Sequence, residues 1–453
     1  MVSLSKLLTS GFVFAPQAQF RDVASPELTS KQQCNTVRYL AAAGPFIQGS
    51  GFGISTETPD QCTVEQVQLF MRHGERFPGL AAGKEHKKVV EKLQSYHGTF
   101  KGELSFLNDY VYYVPNEDLY ELETTPWNSI GPYNGYETSL RAGAAFRAKY
   151  NHLYDESEKL PLFIAASKRV YDTALYFANG FLGESYSEDK INKVVVNEDK
   201  SFGLNSLAPR WGCTAYNGSA NNDFVMDRFT TANPGLDITN SDISSLFQIC
   251  AYETNSRGYS PFCDIFTQDE FVTYGYANDL AFYYSSGPGG HNSVTAGAVQ
   301  FNATMALLKD NSAKNKIWLT FSHDTDIELF SSALGLFDTL EPLPNAQVRV
   351  RDAYHHVDVI PMGGRFITEK LSCENDTFVR FIVSDAVIPV KGCADGPGFS
   401  CRLDKFEDYI KGRIGDIDIS EDCKVPEGVP DKLTFYWDYT EVNYNATAER
   451  ITA

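Results

Sequence analysis

A seven-residue run, Arg72-His73-Gly74-Glu75-Arg76-Phe77-Pro78, stands directly behind an apolar stretch from Val64 to Met71. That stretch has the length and apolar content of a buried strand, so the run falls at a strand's C-terminal end. Ligands bind at that edge in open α/β sheets, which commits the chain to an α/β architecture with a site at its strand tips. The residue types narrow the chemistry. Two guanidinium forks match the oxygens of a phosphoryl group, and an imidazole held between them is placed to attack phosphorus. The glycine lets the backbone turn sharply and approach a ligand closely. Glu75, beside two arginines, reads as the residue that orients them. A lone Arg-His-Gly would be a charged surface turn; the full run behind an apolar strand is a site.

A second element completes the first. Ile317 to Ser322 is another apolar strand, followed by His323-Asp324-Thr325-Asp326-Ile327-Glu328. Thr325 and Glu328 have capping-box spacing, which predicts a helix from Thr325 to Leu334 with Gly335 as its stop. His323 and Asp324 then lie between strand end and helix start, close to free amides that favour an anion. His323 reads as a phosphate ligand and Asp324 as the general acid that protonates the leaving oxygen. A further strand, Leu162 to Ala166, leads to Arg169. Attack by His73 needs one ring nitrogen unprotonated while the other donates, here to the carbonyl of Gly74.

RHGERFP together with SHDTDI resembles the secreted histidine acid phosphatases of yeasts and fungi, the family that includes phytases. The likeness extends to Lys168-Arg169-Val170-Tyr171-Asp172-Thr173-Ala174, Cys250-Ala251-Tyr252-Glu253, Gly392-Cys393, Gly396 to Cys401 and Phe435 to Asp438, and covers the chain from about Gly44 onward. It implies a large α/β domain with a central mixed sheet flanked by helices, plus a smaller, mostly α-helical inserted domain. The corresponding boundaries are an N-terminal arm over 1–49, the α/β unit over 50–202 and 291–453, and the helical insertion over 203–290. Within the site the resemblance implies His73 as nucleophile, Asp324 as proton donor, and Arg72, Arg76, Arg169 and His323 as phosphate ligands. It also implies the disulfides Cys62–Cys373, Cys213–Cys423, Cys250–Cys263 and Cys393–Cys401. Cys34 is left over from nine cysteines, as a buried thiol or an intermolecular bridge.

The remaining features bound this reading. The chain has 453 residues, 39 basic against 58 acidic, and a net charge of −19. Such a surface repels nucleic acid and offers no basic block, which excludes a nucleic-acid partner; acid conditions and a locally basic cleft would still admit a phosphorylated small molecule. Asn217, Asn302, Asn375 and Asn445 head glycosylation sequons, and with the cysteines they point to a secretory route. Lys6 to Ala18 is signal-like, although Thr9, Ser10 and Gly11 interrupt its apolar core. No stretch is long and apolar enough for a transmembrane helix. Lys84, Lys87, Lys88 and Lys168 are positioned to meet the extra phosphates of a polyanion, and His291 to line the substrate cleft. His355-His356 is no metal motif, because neighbours on a strand face opposite ways and no spaced third ligand follows. The expected protein is a secreted acid phosphomonoesterase of a yeast-like cell, needing neither metal nor cofactor. Phytate is its favoured substrate; the alternative is a broad-specificity phosphate-scavenging acid phosphatase, and a remote one a phosphoglycerate-type mutase. The sequence leaves homo-oligomer formation open.

Overall fold

The computed structural model describes residues 36–218, 229, 232–349, 351 and 353–449, and the backbone of 23–24. Cys34 and the signal-like segment lie outside the described residues. The chain builds its eight-stranded sheet from β1 (Cys62–Arg72), β2 (Leu160–Ala165), β3 (Ile191–Val196), β4 (Ile317–Ser322), β5 (Arg365–Cys373), β6 (Asp376–Val383), β7 (Ala386–Val387) and β8 (Cys401–Arg402). The order is β8-β6-β5-β1-β4-β2-β3, with β7 paired to β6. The β1–β4, β4–β2 and β2–β3 pairs are parallel, whereas β1–β5, β5–β6 and β6–β8 are antiparallel. The sheet is therefore mixed, and its parallel half brings four C-terminal strand ends to one edge.

Alternation along β1 divides its side chains between two cores. Val67, Leu69 and Met71 join the core shared with α2 (Gly135–Tyr150) and α3 (Lys168–Leu182), while Phe70 enters the core of α5 (Gln268–Ser285), α6 (Ser293–Lys309), α7 (Asp324–Leu334) and α8 (Leu403–Ile414). Gln66 and Gln68 are buried because their amides donate to the carbonyls of Leu307 and Thr304 on α6. α6 shows no one-sided helix period because it is buried on more than one side, whereas α8 buries a single face through Phe406, Ile410 and Ile414.

A third core joins α1 (Leu80–Gln94) and residues 100–120 to α4 (Asn240–Arg257), Phe262, Phe271 and Tyr274. The helical layer thus draws on chain before the 203–290 segment as well as within it. The capping boxes Thr239–Asp242 and Thr267–Glu270 start α4 and α5. The one expected at Thr325–Glu328 does not form. His323 is the N-cap and Asp324 opens α7, while Glu328 is buried as acceptor for Ser286, Tyr354 and His356. Three buried donors outweigh one cap bond. Gly335 ends the helix with φ 72°.

Disulfides join Cys62–Cys373, Cys213–Cys423, Cys250–Cys263 and Cys393–Cys401. The first crosses the register pair at the start of β1, ten residues before Arg72, or about 33 Å at strand rise. It secures the far end of the strand rather than the site.

Candidate active site

Parallel register brings the two motifs together. Arg72 pairs with Ser322 across β1 and β4, and the His73 N–H donates to the Ser322 carbonyl at 3.3 Å. The rings of His73 and His323 consequently lie 6.1 Å apart, edge to face. On the next parallel strand, β2 ends at Ala165 and Arg169 stands on the first turn of α3. Beyond that, β3 ends at Val196 and supplies Glu198 two residues later. Four neighbouring strand ends each contribute a charged or ionisable side chain.

His73 is buried, and its Nδ1 lies 3.0 Å from the Gly74 carbonyl. With that nitrogen as donor, Nε2 carries the lone pair. Burial first, then the charges of Arg169, Arg72 and Arg76, hold the imidazole well below its ordinary pKa. Both causes favour the neutral ring. The Gly74 N–H donates to Glu123 Oε1 at 2.6 Å and to Thr173 Oγ1 at 2.9 Å. A Cβ at Gly74 would stand 2.6 Å from Gly135 Cα, so the glycine admits the start of α2, not a ligand as its place in the motif suggested. Burial drives the pKa of Glu123 well up, leaving this carboxyl neutral beneath the loop.

The arginines are held by different partners. Arg72 donates to the carbonyls of Ile360 and Ala42 at 3.0 and 2.9 Å and pairs with Asp324 at 2.6 Å. Arg76 donates to the Phe77 carbonyl and lies over the Tyr252 ring, 5.6 Å from its centroid. Arg169 pairs with Glu121 and approaches His323 Nδ1 at 3.4 Å; burial and then Arg76 lower its pKa to about 10, against the pull of Glu121. The Nε of all three is buried without a hydrogen-bond partner. Unpaired buried donors are costly, and the charges of these three arginines all act on one imidazole, surroundings suited to an oxyanion.

Asp324 accepts from the Thr325 N–H at 2.8 Å as well as pairing with Arg72. Burial would raise its pKa; the charge of Arg72, foremost, more than reverses this and holds it well below the usual carboxylate range in the free protein. His323 Nε2 lies 3.0 Å from both oxygens of Glu198. Burial opposes ionisation of Glu198, yet the charges of His323, Arg210 and Arg169 draw its pKa down to about 2.

Glu75 and the His355-His356 pair depart from expectation, and the other candidates take the following places. Glu75 does not orient the arginines: its carboxylate turns away, accepts from the Phe46 N–H at 2.8 Å and is fully buried. Lys84, Lys87 and Lys88 lie on the exposed face of α1, with Lys84 4.0 Å from Glu117 and Lys88 3.6 Å from Glu85. Half-exposed Lys168 pairs with Asp172. His291 is exposed, its backbone bridged to Asn217. None of these side chains is brought against the arginine–histidine cluster by a hydrogen bond or ion pair described here. His355 and His356 sit at the start of a helical turn rather than on a strand, and bind separate carboxylates, Asp279 and Glu328, each at 2.8 Å. Asn217, Asn302, Asn375 and Asn445 are all exposed. Residues to which the sequence reading gave no role are Glu121, Glu123, Glu198, Arg210, Thr173 and Tyr252; of these six, Thr173 and Tyr252 lie inside stretches that carry the family likeness.

An imidazole facing converging guanidinium groups at the tips of parallel strands is the arrangement of the histidine phosphatases as a class. The chain belongs to the histidine phosphatase superfamily (branch 2), whose family model matches residues 63–384, and it is a phosphoric monoester hydrolase. It is 47% identical over 460 residues to Phytase PHO112 of Candida albicans, covering 99% of this chain and 100% of that one. The probable acid phosphatase DIA3 of Saccharomyces cerevisiae is 39% identical over 465 residues, covering 98% and 97%. The crystal structure of the phytase from D. castellii superposes with a TM-score of 0.90 at 46% identity, covering 96% of this chain and 97% of that one.

Proposed function

We propose that this hydrolase is a secreted acid phosphatase that takes phytate as its favoured substrate and works through a phosphohistidine. The carrying observation is the buried His73, its Nδ1 3.0 Å from the Gly74 carbonyl, under the charges of Arg72, Arg76 and Arg169. The non-bridging oxygens bind Arg72, Arg76, Arg169 and His323. His73 Nε2 attacks, the N–P bond forms, and the ester P–O bond breaks as Asp324 passes its proton to the leaving oxygen. Water then gives a proton to Asp324 and attacks phosphorus, releasing phosphate and restoring His73.

The ionised state of free Asp324 fits this cycle once substrate charge is considered. A bound phosphoryl group competes for Arg72 and brings negative charge beside the carboxylate, and both effects raise its pKa. Acid conditions complete the protonation. Phytate preference draws on the two phytase relatives, because the exposed lysines of α1 give it no geometric support. A broad-specificity acid phosphatase is the second reading, favoured by the Saccharomyces relative. Secretion is supported by the four disulfides, and among the described residues no helix is long and apolar enough to cross a membrane.

Purified protein is assayed for phosphate release from phytate, glycerol phosphate and p-nitrophenyl phosphate across acid pH. A higher kcat/KM for phytate supports the substrate assignment; equal or lower values leave the broad phosphatase. Acid-quench trapping with labelled substrate should place phosphate on His73, and label on a serine or aspartate overturns the mechanism.

A further inference from the structure

Glu121 is one of few non-glycine residues with a left-handed backbone, at φ 70°. A side chain with a Cβ resists that conformation, and such residues persist where surrounding structure holds them, often at functional sites. The surrounding structure here is the active-site loop itself. The Glu121 N–H donates to the Pro78 carbonyl at 3.0 Å, Phe77 N–H to the Leu122 carbonyl at 2.9 Å, and Arg76 forms a bridge with Glu123. Residues 121–123 therefore run antiparallel to the end of the RHGERFP motif.

The carboxylate has two tasks. Oε1 accepts from the Leu80 N–H at 3.2 Å, at the start of α1. Oε2 pairs with Nη1 of Arg169. A Cβ at Gly79 would stand 2.6 Å from Oε1, so the adjoining glycine makes room for the carboxylate. With Nη1 so engaged, Arg169 keeps Nη2 beside His323 and its Nε without a partner. Those two groups form the edge of the guanidinium fork that Glu121 leaves over, the kind of edge that takes a phosphoryl oxygen pair.

We infer that Glu121 is the positioning residue of Arg169, fixing which edge of that guanidinium faces the phosphoryl group. The inference rests on Arg169 being a phosphate ligand. A carboxylate this near an anion site repels substrate, so a gain in binding charge does not explain it; orientation does. Arg169 is repelled by Arg76 and attracted by Glu121, Asp324 and Glu198, and of these carboxylates Glu121 is the one that pairs with it directly.

The test is a double-mutant cycle on the full chain, read as kcat/KM for p-nitrophenyl phosphate and as inhibition by inorganic phosphate. Glu121→Gln retains an acceptor for Leu80 and loses the charge. It should lower kcat/KM about 10–100-fold, the usual cost of removing an orienting partner, and weaken phosphate inhibition in step. Combined with Arg169→Ala it should cost nothing beyond Arg169→Ala alone, because the residue it positions is gone. Multiplying losses, or a Glu121→Gln variant with wild-type activity beside a crippled Arg169→Ala, overturn the inference and leave the phosphate-ligand reading standing. Wild-type activity in Arg169→Ala overturns both. Glu121→Gly, whose backbone accepts φ 70° without strain, should fold with a native near-ultraviolet spectrum and show the same loss; if Glu121→Gln does not fold, the cycle is run with this variant.

Discussion

Gly297 on α6 offers a test of what holds Asp324, the proposed proton donor, in place. A Cβ at that position would lie 1.8 Å from the Leu329 carbonyl oxygen on α7, where ordinary contact begins at 3.4 Å. Gly297→Ala must therefore part the two helices locally by about 1.6 Å, the difference of those distances. The obstacle is backbone, so no rotamer change relieves it. Overpacking of this kind costs about 1–3 kcal/mol, against about 1 kcal/mol gained by replacing a helical glycine, for a net loss of up to about 2 kcal/mol. The catalytic effect should be larger. Asp324 opens the same helix, and a displacement near 1 Å can cost about 100-fold in rate. Glycerol phosphate, with its poor leaving group, should lose about that factor in kcat. Gly412→Ala on α8 is the control: nothing lies within 4 Å of its Cβ, so it should gain up to about 1 kcal/mol in urea unfolding and keep full activity. Wild-type kcat and stability in Gly297→Ala would refute the claim that the α6–α7 approach sets the position of Asp324.

Asp324→Asn should cut phytate turnover by about two to four powers of ten, the span of general acid catalysis, and p-nitrophenyl phosphate turnover far less, because nitrophenolate leaves without a proton; equal losses would assign the acid elsewhere. His86 is buried with Nε2 3.0 Å from Gln248, and burial lowers its pKa from 6.5 to about 4. The unfolded chain takes up this proton first, so folding stability should fall as pH drops from 6.5 to 4, by about 3 kcal/mol in all. His86→Gln should flatten that stretch of the urea-unfolding profile, and an unchanged slope there would remove His86 as its source. Activity should persist after exhaustive EDTA treatment and dialysis; loss restored by a divalent ion would require a metal in the mechanism.

The sequence by itself determined the family and the strand ends at which the arginine–histidine motifs stand. Apolar strands ending at Arg72 and Ser322 are local signals, and so are the capping box at Thr267 and the stop at Gly335. The nitrogen roles of His73 were legible too, because Gly74 is its covalent neighbour. What only tertiary structure decided is the company these residues keep. Glu121, Glu123 and Glu198 reach the site from loops that have no period and no motif, while Glu75, inside the motif, turns away from it. Glu328 had the spacing of a cap and became a buried acceptor instead. A strand's apolar pattern arises from contacts repeated every second residue and is therefore written in the chain. The ionisation of a carboxylate depends on burial and on charges a few ångströms away, and those neighbours are set by folding alone.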